Sequence, residues 1–119
     1  MALHTDLPVY KLACDLLDTV SDLTLNMPRH FARSFGGRIN DECIEILVLI
    51  GRANAARDKV PYLDELLERK DVMAFLLRLA LNKKYIAPKQ YARVARLCDR
   101  VGQQVGGWRR HSARTASAA

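Results

Sequence analysis

The stretch RINDECIEILVLIGRANAAR, residues 38–57, decides the fold class of this chain. From Cys43 to Ile50 every residue except Glu45 is apolar, and a short apolar run of this kind also fits a buried strand. The flanks RINDE and GRANAAR favour a helix instead, because Ala, Arg and Glu form helices readily. We therefore predict a helix over about residues 38–57.

The segments on either side of this stretch also predict helices. About residues 8–27 repeat apolar residues at spacings of three and four, which gives one apolar face, and Pro28 ends the pattern. About residues 62–83 are amphipathic at first and then apolar from Val72 to Leu81, with Arg78 as the exception. These two segments place one helix before and one helix after residues 38–57.

A last helix completes the chain. It opens at Ala87-Pro88 and covers about residues 88–112, before a tail over residues 113–119 that we expect to be disordered. Between the first two helices we expect a connector that the Gly36-Gly37 pair breaks. Four helices with short links predict an all-α protein, one antiparallel up-down four-helix bundle over residues 1–112.

The second and third helices are apolar nearly all round for two or more turns. A bundle helix normally needs one apolar face, so a four-helix monomer of this sequence exposes a large apolar patch. We therefore expect a ring-like homo-oligomer that buries the second faces. A skewed bundle with these two helices at its centre is the alternative.

Basic charge is concentrated in the last third of the sequence. The net charge of the chain is +6, and residues 87–119 hold seven Lys or Arg against one acidic residue, Asp99. Four of the seven lie within roughly 60° of one another on a helix of about 100° per residue, and we call them the basic stripe: Lys89, Arg93, Arg96 and Arg100. Because Arg pairs with phosphate through two hydrogen bonds, the stripe predicts a polyanionic partner. A solvated basic face kept for solubility is the alternative.

A second basic group, Arg29, Arg33 and Arg38, lies in the connector between the first two helices. Connectors are exposed for other reasons, so this group is a weaker candidate for a nucleic-acid contact. Aromatic residues that could stack on bases are scarce along the basic stripe. We therefore expect RNA or DNA to be bound through its phosphate backbone, with strong dependence on salt.

The sequence carries no motif of an enzyme or of a metal site. It has no phosphate-binding glycine loop, no HExxH, no GxSxG and no Glu-x-x-His. The acidic pairs fall on predicted polar faces and are interpreted as solvated surface. We therefore expect no catalytic residue, no metal and no cofactor.

Three cysteines, Cys14, Cys43 and Cys98, are widely spaced without a CxxC pair and are expected to be small buried side chains. The N-terminus lacks a basic region followed by an apolar core, which argues against a signal peptide. No apolar run reaches the ~18 residues that span a bilayer. We therefore expect a cytoplasmic protein without a membrane partner.

The order of these features resembles a known family. The first helix ends in Met27-Pro28-Arg29, and the last opens with Ala87-Pro88-Lys89-Gln90 and closes with VGQQVGGW, residues 101–108. Over about residues 7–112 the chain resembles the accessory proteins of diversity-generating retroelements, the accessory variability determinant (Avd) proteins. It is more distantly similar to the bundle proteins encoded in ribosomal-RNA intervening sequences.

The resemblance implies a barrel-like homopentamer with a basic surface, found in a bacterial or phage-infected host cell. It implies a non-catalytic protein that binds the element's reverse transcriptase and its template RNA or cDNA, and so supports mutagenic retrohoming. Arg93, Arg96 and Arg100 match the exposed basic side of the last helix in this family, and Arg29 matches the Pro-Arg turn. The sequence begins a few residues before its first helix, unlike members with longer leaders. A structural or protein-interaction bundle without a nucleic-acid role is the alternative.

Overall fold

The computed structural model describes residues 3–118, and its side chains up to residue 116. Within this range the protein is helical and contains no strand. A short 3-10 turn at His4–Asp6 precedes five α-helices, and a π-helical segment at Ala32–Gly36 joins the second to the third. The helices are α1 (Pro8–Leu25), α2 (Arg29–Phe31), α3 (Gly37–Ala55), α4 (Val60–Asn82) and α5 (Pro88–Ala118).

The four long helices form a four-helix bundle, as predicted. α3 packs against α1 and α4, and α5 packs against the same two helices from the other side. The molecule is 51 Å long, and a helix with the 31 residues of α5 is about 46 Å long. α5 therefore runs along nearly the whole molecule.

One continuous core lies along the bundle axis, built from the apolar face of each long helix. Each of the four long helices contributes fully buried side chains, for example Leu16 from α1, Ile46 from α3, Leu66 from α4 and Val101 from α5. Pro8 and Pro61 lie in the first turns of α1 and α4, where the missing N–H removes no intrahelical hydrogen bond. Apart from the C-terminal end of α5, the predicted ends of the four long helices lie within two residues of those observed.

The Gly36-Gly37 pair does not interrupt the helical backbone, so the predicted break between the first two long helices is wrong. Both residues adopt right-handed helical angles, and α3 continues directly from the π-helical segment. Gly36 is needed for packing, because a Cβ atom there would lie 2.9 Å from Cγ2 of Thr24 on α1. The amide of Asn40 donates to both the Gly36 carbonyl and the Thr24 hydroxyl, and so ties α1 to the start of α3.

The predicted disordered tail is a further correction. α5 continues to Ala118, so residues 113–118 are helical, and residue 119 lies outside the described range. Residues 113–118 contain neither Pro nor Gly, and extending an existing helix is easier than starting one. The Thr115 hydroxyl also donates to the His111 carbonyl one turn earlier.

The outward sides of α3 and α4 carry exposed apolar side chains. Ile44 and Val48 on α3 are 47% and 39% exposed, and Phe75 on α4 is 63% exposed. α3 and α4 each pack against two neighbours, as α1 and α5 do, so the alternative of two central helices is wrong. The apolar second faces expected from the sequence are therefore open in the single chain, and the homo-oligomer stays a prediction.

Candidate nucleic-acid interface

The basic stripe lies on the exposed side of α5. Val94, Cys98, Val101 and Val105 of the same helix are buried, which turns the opposite side of α5 toward solvent. All four side chains of the stripe are exposed. The sequence pattern therefore placed the stripe on the correct side of its helix.

Three members of the stripe face acidic residues. Arg93, Arg96 and Arg100 line an open groove of about 570 Å³ between α1 and α5. The α1 wall of this groove carries three exposed carboxylates, which we call the acidic row: Asp15, Asp18 and Asp22. Across the part of the chain that the structure describes, no ion pair within 4.0 Å joins the two walls. The arginines thus remain free to bind a phosphate, although three negative charges lie across the groove from them.

Sequence reasoning interpreted the acidic row as ordinary solvated surface and missed that it faces the stripe. The spacing of Asp15, Asp18 and Asp22 already placed the three on one side of α1. In a closed four-helix bundle the first and last helices are neighbours, so the two rows can meet, but packing decides which exposed side of α1 turns toward α5. The consequence is that the groove is close to neutral in net charge, while its α5 wall is strongly basic.

The other predicted contact residues do not line the groove. Lys89 is exposed in the first turn of α5. Arg29 is exposed on α2, and Arg33 is exposed on the π-helical segment. This part of the chain packs against the residues just before α5, where the rings of Phe31 and Tyr85 stack with centroids 4.1 Å apart. Tyr85 lies just before α5 begins, so these three cations share one end of the bundle. The structure therefore divides the six predicted residues into a groove set and an end set.

A model of the bAvd-like family matches residues 9–112 of the chain. The chain belongs to the bAvd-like family. The resemblance to Avd proteins is thus confirmed, and the family is an accessory, non-catalytic kind of protein of diversity-generating retroelements. A comparison with curated proteins gives no match. The family match covers α1 to α4 except for Pro8, and α5 as far as Ser112.

The last turns of α5 in this bAvd-like chain extend the basic side past Arg100. At about 100° per residue, His111 and Arg114 fall on the same side of α5 as the basic stripe, and both are exposed. Arg109 points elsewhere, because its guanidinium donates two hydrogen bonds to the carboxylate of Asp64 on α4. The hydrogen bond from Arg109 lowers the pKa of the Asp64 carboxyl. Arg109 therefore fastens α5 to α4 rather than adding to the interface.

The buried ionisable groups of the bAvd-like bundle are structural. Glu42 on α3 is 6% exposed and accepts hydrogen bonds from Arg38 and from Arg69 of α4. Burial raises the pKa of the Cys43 and Cys98 thiols to about 12, so both stay protonated and unreactive at neutral pH. Glu42 thus joins α3 to α4, and the two thiols lie within the core.

The remaining expectations concern cysteines, metals and membranes. Cys14 is only half-buried, unlike the other two cysteines, which are buried as predicted. Among residues 3–118, no group of three or more His, Cys, Asp or Glu side chains is placed to hold a metal ion. In the same range we find no helix with the length and apolar character that crossing a membrane requires.

Proposed function

We propose that this bAvd-like protein is a non-catalytic accessory protein that binds the reverse transcriptase and template RNA or cDNA of its retroelement, and so supports mutagenic retrohoming. One observation carries the nucleic-acid part of the proposal. Arg93, Arg96 and Arg100 stand exposed along one side of α5, and within residues 3–118 none of them forms an ion pair. Guanidinium groups in this state can bind successive phosphates of a nucleic acid.

The expected working form is a ring-like homo-oligomer, with five subunits implied by the family, in the cytoplasm of a bacterial or phage-infected cell. The exposed apolar residues Ile44, Val48 and Phe75 support self-association, because an open apolar face on two adjacent helices is stabilised when a second copy covers it. A ring would repeat the basic stripe once per subunit and so bind a long polyanion at several points. Light scattering tests the assembly: five chains of 13.4 kDa give about 67 kDa, whereas the mass of one chain would exclude it.

Co-purification with the neighbouring reverse transcriptase and its RNA, at low and at high salt, tests the partners. We expect RNA to be retained at low salt and lost as salt rises, because phosphate contacts release bound counterions. The variant Arg93→Glu with Arg96→Glu should lose RNA while its helicity and oligomeric state stay unchanged. If that variant retains RNA as the unmodified protein does, the stripe is not the binding site.

A protein-interaction bundle without a nucleic-acid role is the second candidate. The exposed side chain of Phe75, at 63%, favours it, because exposed aromatic residues are enriched in protein interfaces. This candidate predicts that the reverse transcriptase is retained in high salt and that no RNA or DNA binds even at low salt. The same co-purification therefore separates the two.

A further inference from the structure

A cleft of about 460 Å³ lies where the last turns of α5 pass the turn between α3 and α4. One wall belongs to α5 and includes Trp108, His111 and Thr115. The other wall is the turn itself, with Arg57, Asp58 and Lys59. The cleft exists because α5 continues as a helix beyond residue 112, and its volume lies in the range of ordinary ligand sites.

The side chains of the cleft differ in whether they already have hydrogen-bond partners within the protein. Lys59 is occupied, because its ammonium group donates to three carbonyls at the end of α3, at 2.9 to 3.0 Å. Arg57 is exposed and, within residues 3–118, makes no hydrogen bond or ion pair. Trp108 is the single tryptophan of the chain and is half-buried. The cleft therefore offers a half-buried indole on one wall and an unpaired guanidinium on the other.

The basic stripe leads toward this cleft. His111 lies on the same side of α5 as Arg100, eleven residues further along, or about 16 Å at 1.5 Å per residue. A chain of phosphates that follows the arginines along α5 would therefore arrive at the rim of the cleft. An unstacked base of a single strand fits such a site, because aromatic side chains stack on any base and arginine binds the adjoining phosphate.

We propose that the cleft binds one base of a single-stranded nucleic acid, which stacks on Trp108 while Arg57 and His111 contact the neighbouring phosphates. This inference rests on the proposed function and adds a preference for single strands. A duplex has no unstacked base to insert, so it would bind through the stripe alone. The aromatic contact missing from the stripe is thus supplied at its far end.

The fluorescence of Trp108 reports binding at the cleft directly, because no other residue of the chain contributes indole fluorescence. We would titrate the full chain with oligothymidylate, with an unstructured RNA of the same length and with a blunt DNA duplex, and follow both indole emission and the anisotropy of a labelled end. We expect the two single strands to quench the emission strongly and the duplex to quench it weakly. Strong quenching by at least one of the single strands, with weak quenching by the duplex, supports the proposal.

Arg57→Gln should weaken single-strand binding about threefold to tenfold and leave thermal unfolding unchanged, because the Arg57 side chain has no hydrogen-bond or ion-pair partner among residues 3–118. Arg52→Gln, an exposed arginine of α3 outside the cleft, is the matched control and should have little effect. Binding seen by anisotropy without quenching of Trp108 would overturn the cleft proposal and leave the stripe intact. Absence of any anisotropy change would overturn the proposed function as well. If the Trp108 emission changes with protein concentration in the absence of nucleic acid, the cleft is a contact between copies of the chain, and the proposal is overturned.

Discussion

Replacing the acidic row with asparagine, Asp15→Asn with Asp18→Asn and Asp22→Asn, is expected to strengthen nucleic-acid binding. These carboxylates line the groove opposite Arg93, Arg96 and Arg100. A phosphate bound to the arginines would therefore be repelled by the facing wall. Removing three negative charges while keeping the side-chain shape isolates this repulsion.

Coulomb's law sets the size of the effect for a phosphate bound to the arginines across the groove from the acidic row. A carboxylate and a phosphate about 7 Å apart in a water-like dielectric repel each other by about 0.6 kcal/mol. At about 0.15 M salt the Debye length of about 8 Å reduces this to about 0.25 kcal/mol for each carboxylate. Three carboxylates together oppose binding by about 0.8 kcal/mol, which corresponds to an affinity increase of about fourfold when they are removed.

Fluorescence anisotropy with a labelled single-stranded oligonucleotide measures this increase. The matched control is Asp41→Asn on α3 with Glu65→Gln and Glu68→Gln on α4. It removes the same three negative charges as the acidic-row variant, but at positions that do not line the groove. We expect the control to gain less than twofold. Equal gains in the two variants would show that only net charge matters, and no gain in the acidic-row variant would refute binding of phosphate in this groove.

Three further predictions concern the bundle itself. Glu42→Ala should lower the free energy of unfolding by about 2 kcal/mol in urea titrations, because it leaves the charge of the partly buried Arg69 unpaired. The control Arg38→Ala, at an exposed position, should change the free energy of unfolding by less than about 0.5 kcal/mol. Lys59→Met should destabilise the protein by about 1–2 kcal/mol in the same measurement, because three carbonyls at the end of α3 lose their donor. Cys43 and Cys98 should react with a thiol reagent at neutral pH only after unfolding. Because folding raises their pKa from 9.0 to about 12, their contribution to stability is complete below about pH 9 and should be lost as pH rises toward 12.

Most of the fold could be predicted from local patterns. Apolar spacing and the positions of proline gave four helices whose ends, apart from that of α5, lie within two residues of those observed. The Gly36-Gly37 pair could not be interpreted in this way, because what requires Gly36 is its contact with Thr24 on another helix. The end of α5 was missed because Ser and Thr also favour turns and the last residues of most domains are poorly ordered, although Ala and Arg are good helix formers.

The candidate site was predictable on one helix and not between helices. The amphipathic pattern of α5 placed Arg93, Arg96 and Arg100 on the solvent side, where the structure has them. Their relation to the acidic row depends on which side of α1 faces α5, and only packing decides that. The part of the cleft wall that contains Thr115 and Ala116 depends in turn on the helical course of α5 beyond residue 112.

The most direct test of the central claim is the salt dependence of nucleic-acid binding by Arg93→Gln with Arg96→Gln. For single strands the logarithm of the binding constant falls with the logarithm of salt by about 0.7 for each phosphate neutralised, so loss of two contacts should make the slope shallower by about 1.4. Arg52→Gln with Lys83→Gln removes the same charge from exposed positions outside the groove and should leave the slope nearly unchanged. A slope that is the same for the unmodified protein and the Arg93/Arg96 variant would contradict binding through the basic stripe of α5.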